Sequence, residues 1–114
     1  MQLSSFLEKL NSTPEQICFH DTMSAIDENY TFIPCQFHNG DLLNEENQNN
    51  GSCKIFAFAK LHNLTEEQTL QCFGDYYRID VLQHPTATDH QNIRNFITHG
   101  WTGISYMKQP LTRL

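Results

Sequence analysis

The sequence predicts a mostly helical α+β domain, with about five helices packed over a small two-stranded antiparallel sheet and residues 1–114 forming one unit. Three observations carry this expectation. Apolar residues recur at helical spacing through most of the chain, and two short stretches alternate apolar and polar instead. The 114 residues, eight Phe and four Tyr among them, suffice for one core covering roughly two thirds of the unfolded surface. They are too few for two ordinary domains.

Leu3, Phe6, Leu7 and Leu10 mark the first amphipathic helix, which Asn11-Ser12 ends. Thr13-Pro14-Glu15-Gln16 combines a cap residue, a proline suited to the first helical position and a glutamine three residues on, so a turn or short helix follows. Asp21 is expected to cap a helix with Met23, Ile26 and Tyr30 on one stripe. Between Thr31 and His38, Ile33, Cys35 and Phe37 alternate as in a strand, and Pro34 confines it to an edge. Asn39-Gly40 is a turn, and the polar stretch from Asp41 to Asn50 reads as a surface loop.

Cys53 to Leu61 is apolar around most of a helical circumference, the pattern of a central helix buried on several sides, and Asn63 closes it. Thr65 with Gln68 forms a capping box for the next helix, whose inner stripe is Leu70, Phe73 and Tyr77. Asp89 is a cap for a last helix bearing Ile93, Phe96 and Ile97, with His99 near its end and Gly100 as the stop. Thr102, Ile104 and Tyr106 alternate again. This second strand is expected to pair with Ile33–Phe37 beneath the helices, since two strands alone are marginal.

Composition narrows the function classes. A net charge of −6 and the lack of any Lys/Arg cluster argue against nucleic acid as a partner. No run approaches the ~18 apolar residues of a membrane span, and no basic, apolar leader opens the sequence. Cys18, Cys35, Cys53 and Cys72 contain no C-x-x-C pair and are expected as reduced thiols. The four N-x-S/T sequons, at Asn11, Asn29, Asn50 and Asn63, read as turn and cap residues.

Three stretches carry a resemblance: Asn50-Gly51-Ser52-Cys53-Lys54-Ile55-Phe56-Ala57-Phe58-Ala59-Lys60-Leu61, Cys72-Phe73-Gly74-Asp75-Tyr76-Tyr77-Arg78 and Asp89-His90-Gln91-Asn92-Ile93-Arg94-Asn95-Phe96. Together with Asp21-Thr22-Met23 and Gly100-Trp101-Thr102-Gly103-Ile104, they resemble the HopJ family of type III secretion effectors over nearly the whole chain. The resemblance implies a bacterial origin and a role after injection into a host cell, with a protein partner or host target; the helical pattern that starts at Leu3 supports the alternative of residence in the bacterial cytoplasm. The resemblance implies no reaction and no cofactor.

The residues themselves offer two kinds of site. Cys53 is expected in the first turn of the central helix, where the positive helix end and Lys54 would favour a thiolate. His90 would then act as base, oriented by Asp89 or by Asn92, giving acyl transfer or hydrolysis. The plainer reading makes Cys53 a core residue and Asp89-His90 a cap and its neighbour. Gly51-Ser52-Cys53-Lys54 also resembles the tail of a phosphate-binding loop, without that motif's upstream glycine and with another residue order, and Asn50 before it is a further binding candidate. Tyr76 and Arg78 are candidates for an exposed partner surface, joined by Asn92 and Arg94. His84, His90 and His99 lack the spacing that puts two metal ligands on one helix face, so no metal site is expected. The balance favours a binding module over an enzyme.

Overall fold

The computed structural model describes residues 2–114. In chain order the elements are α1 (Leu3–Ser12), a 3₁₀ turn (Pro14–Gln16), α2 (Phe19–Asn29), β1 (Tyr30–Phe32), β2 (Phe37–Asn39), β3 (Leu42–Asn44), α3 (Asn50–Leu61) and α4 (Glu66–Gln71). A π-helical segment (Tyr76–Val81), α5 (Gln91–His99), a second 3₁₀ turn (Gly100–Gly103), β4 (Ile104–Tyr106) and β5 (Leu111–Arg113) complete it.

The centre is α3. Successive helical residues are 100° apart, so Phe56 and Phe58 leave the helix on nearly opposite sides. Phe56 meets Phe37, Phe73 and Phe96 at ring separations of 6.3, 5.6 and 4.9 Å, tying α3 to β2, the α4 region and α5. Phe58 meets Phe6 at 5.7 Å and Tyr30 at 5.9 Å, tying it to α1 and β1. All of these rings are buried.

The expected single strand pair is replaced by two small sheets. Pro34 divides the alternating stretch: β1 pairs antiparallel with β5, Thr31 opposite Thr112, while β2 belongs to the sheet β3-β2-β4. The predicted return of the Ile104 strand onto this region survives at one end, with Phe37 opposite Tyr106. Ile33, expected to face the core with Cys35 and Phe37, is half exposed because it lies in the crossover between the sheets. The polar segment after Gly40 is not all loop. Gly40 (φ +60) turns the chain, and Leu42–Asn44 pairs back on β2.

Helix boundaries also shift. Cys18, not Asp21, caps α2, and Asp21 sits three residues in with its carboxylate accepting the Cys18 amide at 3.3 Å. The helix expected from Thr65 to Tyr77 ends at Gln71. Gly74 (φ +64) passes so close to α2 that a Cβ would lie 2.7 Å from the Phe19 amide, and only glycine permits that crossing. The capping box itself forms, with Thr65 Oγ1 accepting the Gln68 amide and Gln68 Oε1 accepting the Thr65 amide, both at 3.0 Å. Phe96 and Ile93 face inward from α5 as expected, whereas Ile97 is about half exposed.

A buried amide cluster joins β2, β3 and the starts of α3 and α5. Asn92 and Asn44 exchange two hydrogen bonds of 3.0 Å; Asn39 donates to the Asn92 carbonyl at 2.7 Å, and Asn49 donates to Asn44 Oδ1 at 2.7 Å. Asn39, Asn44 and Asn92 are all buried, so each lost partner strands a desolvated amide. Asn92→Ala should therefore lower unfolding free energy by about 2–3 kcal/mol in urea titration; a loss below about 0.5 kcal/mol, the scale of a neutral surface change, would contradict this account.

Candidate functional site

A cleft of about 390 Å³ lies between the start of α3 and the start of α5. One wall is donor-rich and consists of Asn49, Gly51 and Ser52 with His90, Gln91 and Asn92. The other is apolar and aromatic, formed by Phe19, Leu42, Phe73, Tyr76 and Ile93.

The donor wall arises from two unusual helix starts. Asn49 caps α3 and His90 caps α5, each with left-handed backbone (φ 53 and φ 51) and neither with a side-chain hydrogen bond to its helix. The first-turn amides of an α-helix have no intrahelical acceptor, so both helices present donors and positive dipole ends. The buried asparagine cluster sets the two ends side by side. Gly51 lets the Phe19 ring sit close against the α3 start, since a Cβ there would lie 2.8 Å from the ring tip and push it aside.

On the aromatic side, Phe19 packs edge-on to Tyr76 at 5.1 Å, and Tyr76 lies over the His90 ring at 5.0 Å. The His90 Nε2 edge meets Asp80 Oδ2 at 3.0 Å and Asp89 Oδ2 at 3.8 Å. Hydrogen bonding to Arg94 holds the Asp89 carboxyl below the usual carboxylate range. Neither Asp80 nor Asp89 lines the cleft.

Several expected site residues lie elsewhere. Cys53 is on α3 as expected but points into the core, 1% exposed, its thiol facing the Cys35 carbonyl at 4.0 Å. Burial, with Cys35 beside it, pushes that thiol up to about 12. A neutral, buried thiol cannot serve as the nucleophile of a Cys53–His90 pair, and Cys53 does not line the cleft that His90 enters. Lys54 turns away as well: its ammonium pairs with Asp27 at 2.8 Å and lies 5.1 Å over the Phe32 ring. Asn50 opens α3 but is not part of the cleft lining.

Arg78, expected at the surface, is a structural tether. Its guanidinium donates to the carbonyls of Pro14 and Ile17 and to Gln71 Oε1, locking the turn before α2 to the end of α4. Arg94 is a second tether, donating to the carbonyls of Asp80, His84 and Asp89 and to the Asp89 carboxylate at 2.7 Å. Asp89 is thus paired with Arg94 instead of capping α5, and Asp80 is the nearer carboxylate to His90. Of the sequence candidates, Gly51, Ser52, Tyr76, His90 and Asn92 meet at the cleft. Phe19, Leu42, Asn49, Phe73, Gln91 and Ile93 were not anticipated there, nor was Asp80 beside His90. Only Gln91 carries a sequence signal, its place beside His90 in the α5 start.

The HopJ type III effector protein family model matches residues 3–111, nearly the whole chain. Among solved structures, the crystal structure of VPA0580, a protein of unknown function, is similar with 54% identity and a TM-score of 0.98. That match covers 100% of this chain and 95% of the other. No curated protein matches.

The thiols make a pH prediction. Burial raises Cys53 and Cys72 from an ordinary 9.0 to about 12, so the folded chain holds protons that the unfolded chain releases first. Stability from these groups is complete below about pH 9 and declines as pH rises towards 12. Urea midpoints between pH 7 and 10.5 should fall, and the Cys53→Ala/Cys72→Ala double variant should show a shallower fall; an equal slope would assign it to other groups.

Proposed function

We propose that this chain, which belongs to the HopJ type III effector family, works as a binding module whose ligand enters the cleft between the α3 and α5 helix starts. The observation that carries this reading is the convergence of two helix starts without side-chain caps on one concave site with an aromatic wall. Amide donors and positive helix ends favour an anionic group, and the Phe19–Tyr76 wall favours a planar or apolar body attached to it. The fitting occupant is a carboxylate or phosphate carried next to a ring, on a small molecule or on a side chain of a host protein. No covalent step is required of the module, consistent with the buried thiol at Cys53.

The test is a titration of the isotopically labelled chain with phenyl phosphate and, separately, inorganic phosphate, followed by amide resonances. Gly51, Ser52, Gln91 and Asn92 should shift together, and phenyl phosphate should bind more tightly. Ser52→Glu, an acidic residue that a helix first turn accepts, should weaken phenyl phosphate at least tenfold. Tyr76→Ala should weaken it about three- to tenfold, the scale of one aromatic contact. Shifts confined to other residues, or equal binding by Ser52→Glu, would sink the reading.

Family membership also supports delivery into a host cell as the module's route. The chain should then appear in the medium of type III-competent bacteria and be lost from it when the apparatus is disabled, by immunoblot with a cytoplasmic control. Export unaffected by the apparatus, or retention inside the cell in both strains, would count against that route.

A further inference from the structure

We propose that Asp80, Asp89 and His90 form a site for a divalent transition ion, zinc above all, at the rim of the cleft. One ligand atom from each residue lies within 4.8 Å of the other two. His90 Nε2 is 3.0 Å from Asp80 Oδ2 and 3.8 Å from Asp89 Oδ2. A zinc ion about 2.0–2.2 Å from each of three ligand atoms needs those atoms roughly 3–4 Å apart; both His90 distances lie in that range, and a small turn of either partly exposed carboxylate sets the third.

Hydrogen bonding within the trio is incomplete. Nε2 carries at most one proton, yet two carboxylate oxygens face it. A cation between the three atoms satisfies both carboxylates and the imidazole lone pair together. The set is two carboxylates, that of Asp89 shared with Arg94, and one imidazole, and such an N/O set suits zinc and its first-row neighbours.

The surroundings hold the ligands in place. Arg94 grips the other oxygen of Asp89 at 2.7 Å and donates to the Asp80 carbonyl at 3.3 Å, the kind of outer contact that orients metal ligands. Tyr76 fixes the His90 ring from its face. All three ligands remain partly open to solvent, so an ion can enter. Three protein ligands leave a fourth position free, as in open zinc sites, and His90 also lines the cleft. The anionic group of a cleft ligand is a suitable fourth donor. The site does not depend on that ligand, since the metal alone is the probe.

The test uses Co²⁺ as a spectroscopic stand-in for zinc on the full untagged chain. Cys18, the exposed thiol, is replaced by Ser, a good cap residue, to remove a competing ligand. One equivalent should bind with ligand-field bands and no thiolate charge-transfer absorption, and Zn²⁺ should displace it. Asp80→Asn and His90→Gln should each weaken binding at least tenfold while the metal-free melting temperature stays near that of the parent. Absence of saturable binding, or equal affinity in both variants, would overturn the proposal. A measurement without ligand variants guards against misfolding: substoichiometric Mn²⁺ should broaden the His90 ring resonances before those of His20, His38 and His62. Broadening that begins at another histidine would overturn it as well.

Discussion

The fold depends on α3 being packed on opposite sides at once. A helix with Phe56 and Phe58 on opposite flanks cannot lie on a surface, and each ring recruits a different set of partners. Phe56 gathers β2, the α4 region and α5; Phe58 gathers α1 and β1. The two small sheets then act as clasps, one joining β1 to β5 and the other joining β2 to β3 and β4. Neither sheet would persist alone, since two or three strands of three residues bury too little without helices over them.

Burying α3 also decides what its start can do. The helix end favours a thiolate by about 0.3–1 kcal/mol at a surface. Taking an unpaired charge out of water costs several times that, so the Cys53 thiol stays neutral despite its place in the first turn. The donors that water would otherwise satisfy are turned towards the cleft, where the α5 start joins them. The asparagine cluster holds that meeting together, because the buried Asn92 and Asn44 side chains each donate to and accept from the other.

The two arginines show how a charged side chain becomes architectural. Arg78 and Arg94 direct their guanidinium donors mainly to backbone carbonyls at and near element ends. In doing so they pin the π-helical segment that brings Tyr76 to the cleft and Asp80 to His90. The binding wall and the carboxylate pair at His90 are therefore products of the same two tethers.

Much of the helical layer was legible in the sequence. The stripe of α1, the proline turn after it, the Thr65–Gln68 box and the all-round apolar α3 are local patterns, and local hydrogen bonds and periodicity decide them. The HopJ resemblance was legible too, and it holds over residues 3–111. Strand partners were not, because three-residue strands carry too little periodicity to specify register and Pro34 splits one apparent strand between two sheets. Nor was the end of α4, which is set by the approach of Gly74 to Phe19 across 55 residues of chain. The cleft was half visible: Ser52, Tyr76, His90 and Asn92 stood out by type. Which of them meet, and that Cys53 turns inward while Asp80 reaches His90, followed only from packing, since burial and distance are properties of the folded chain.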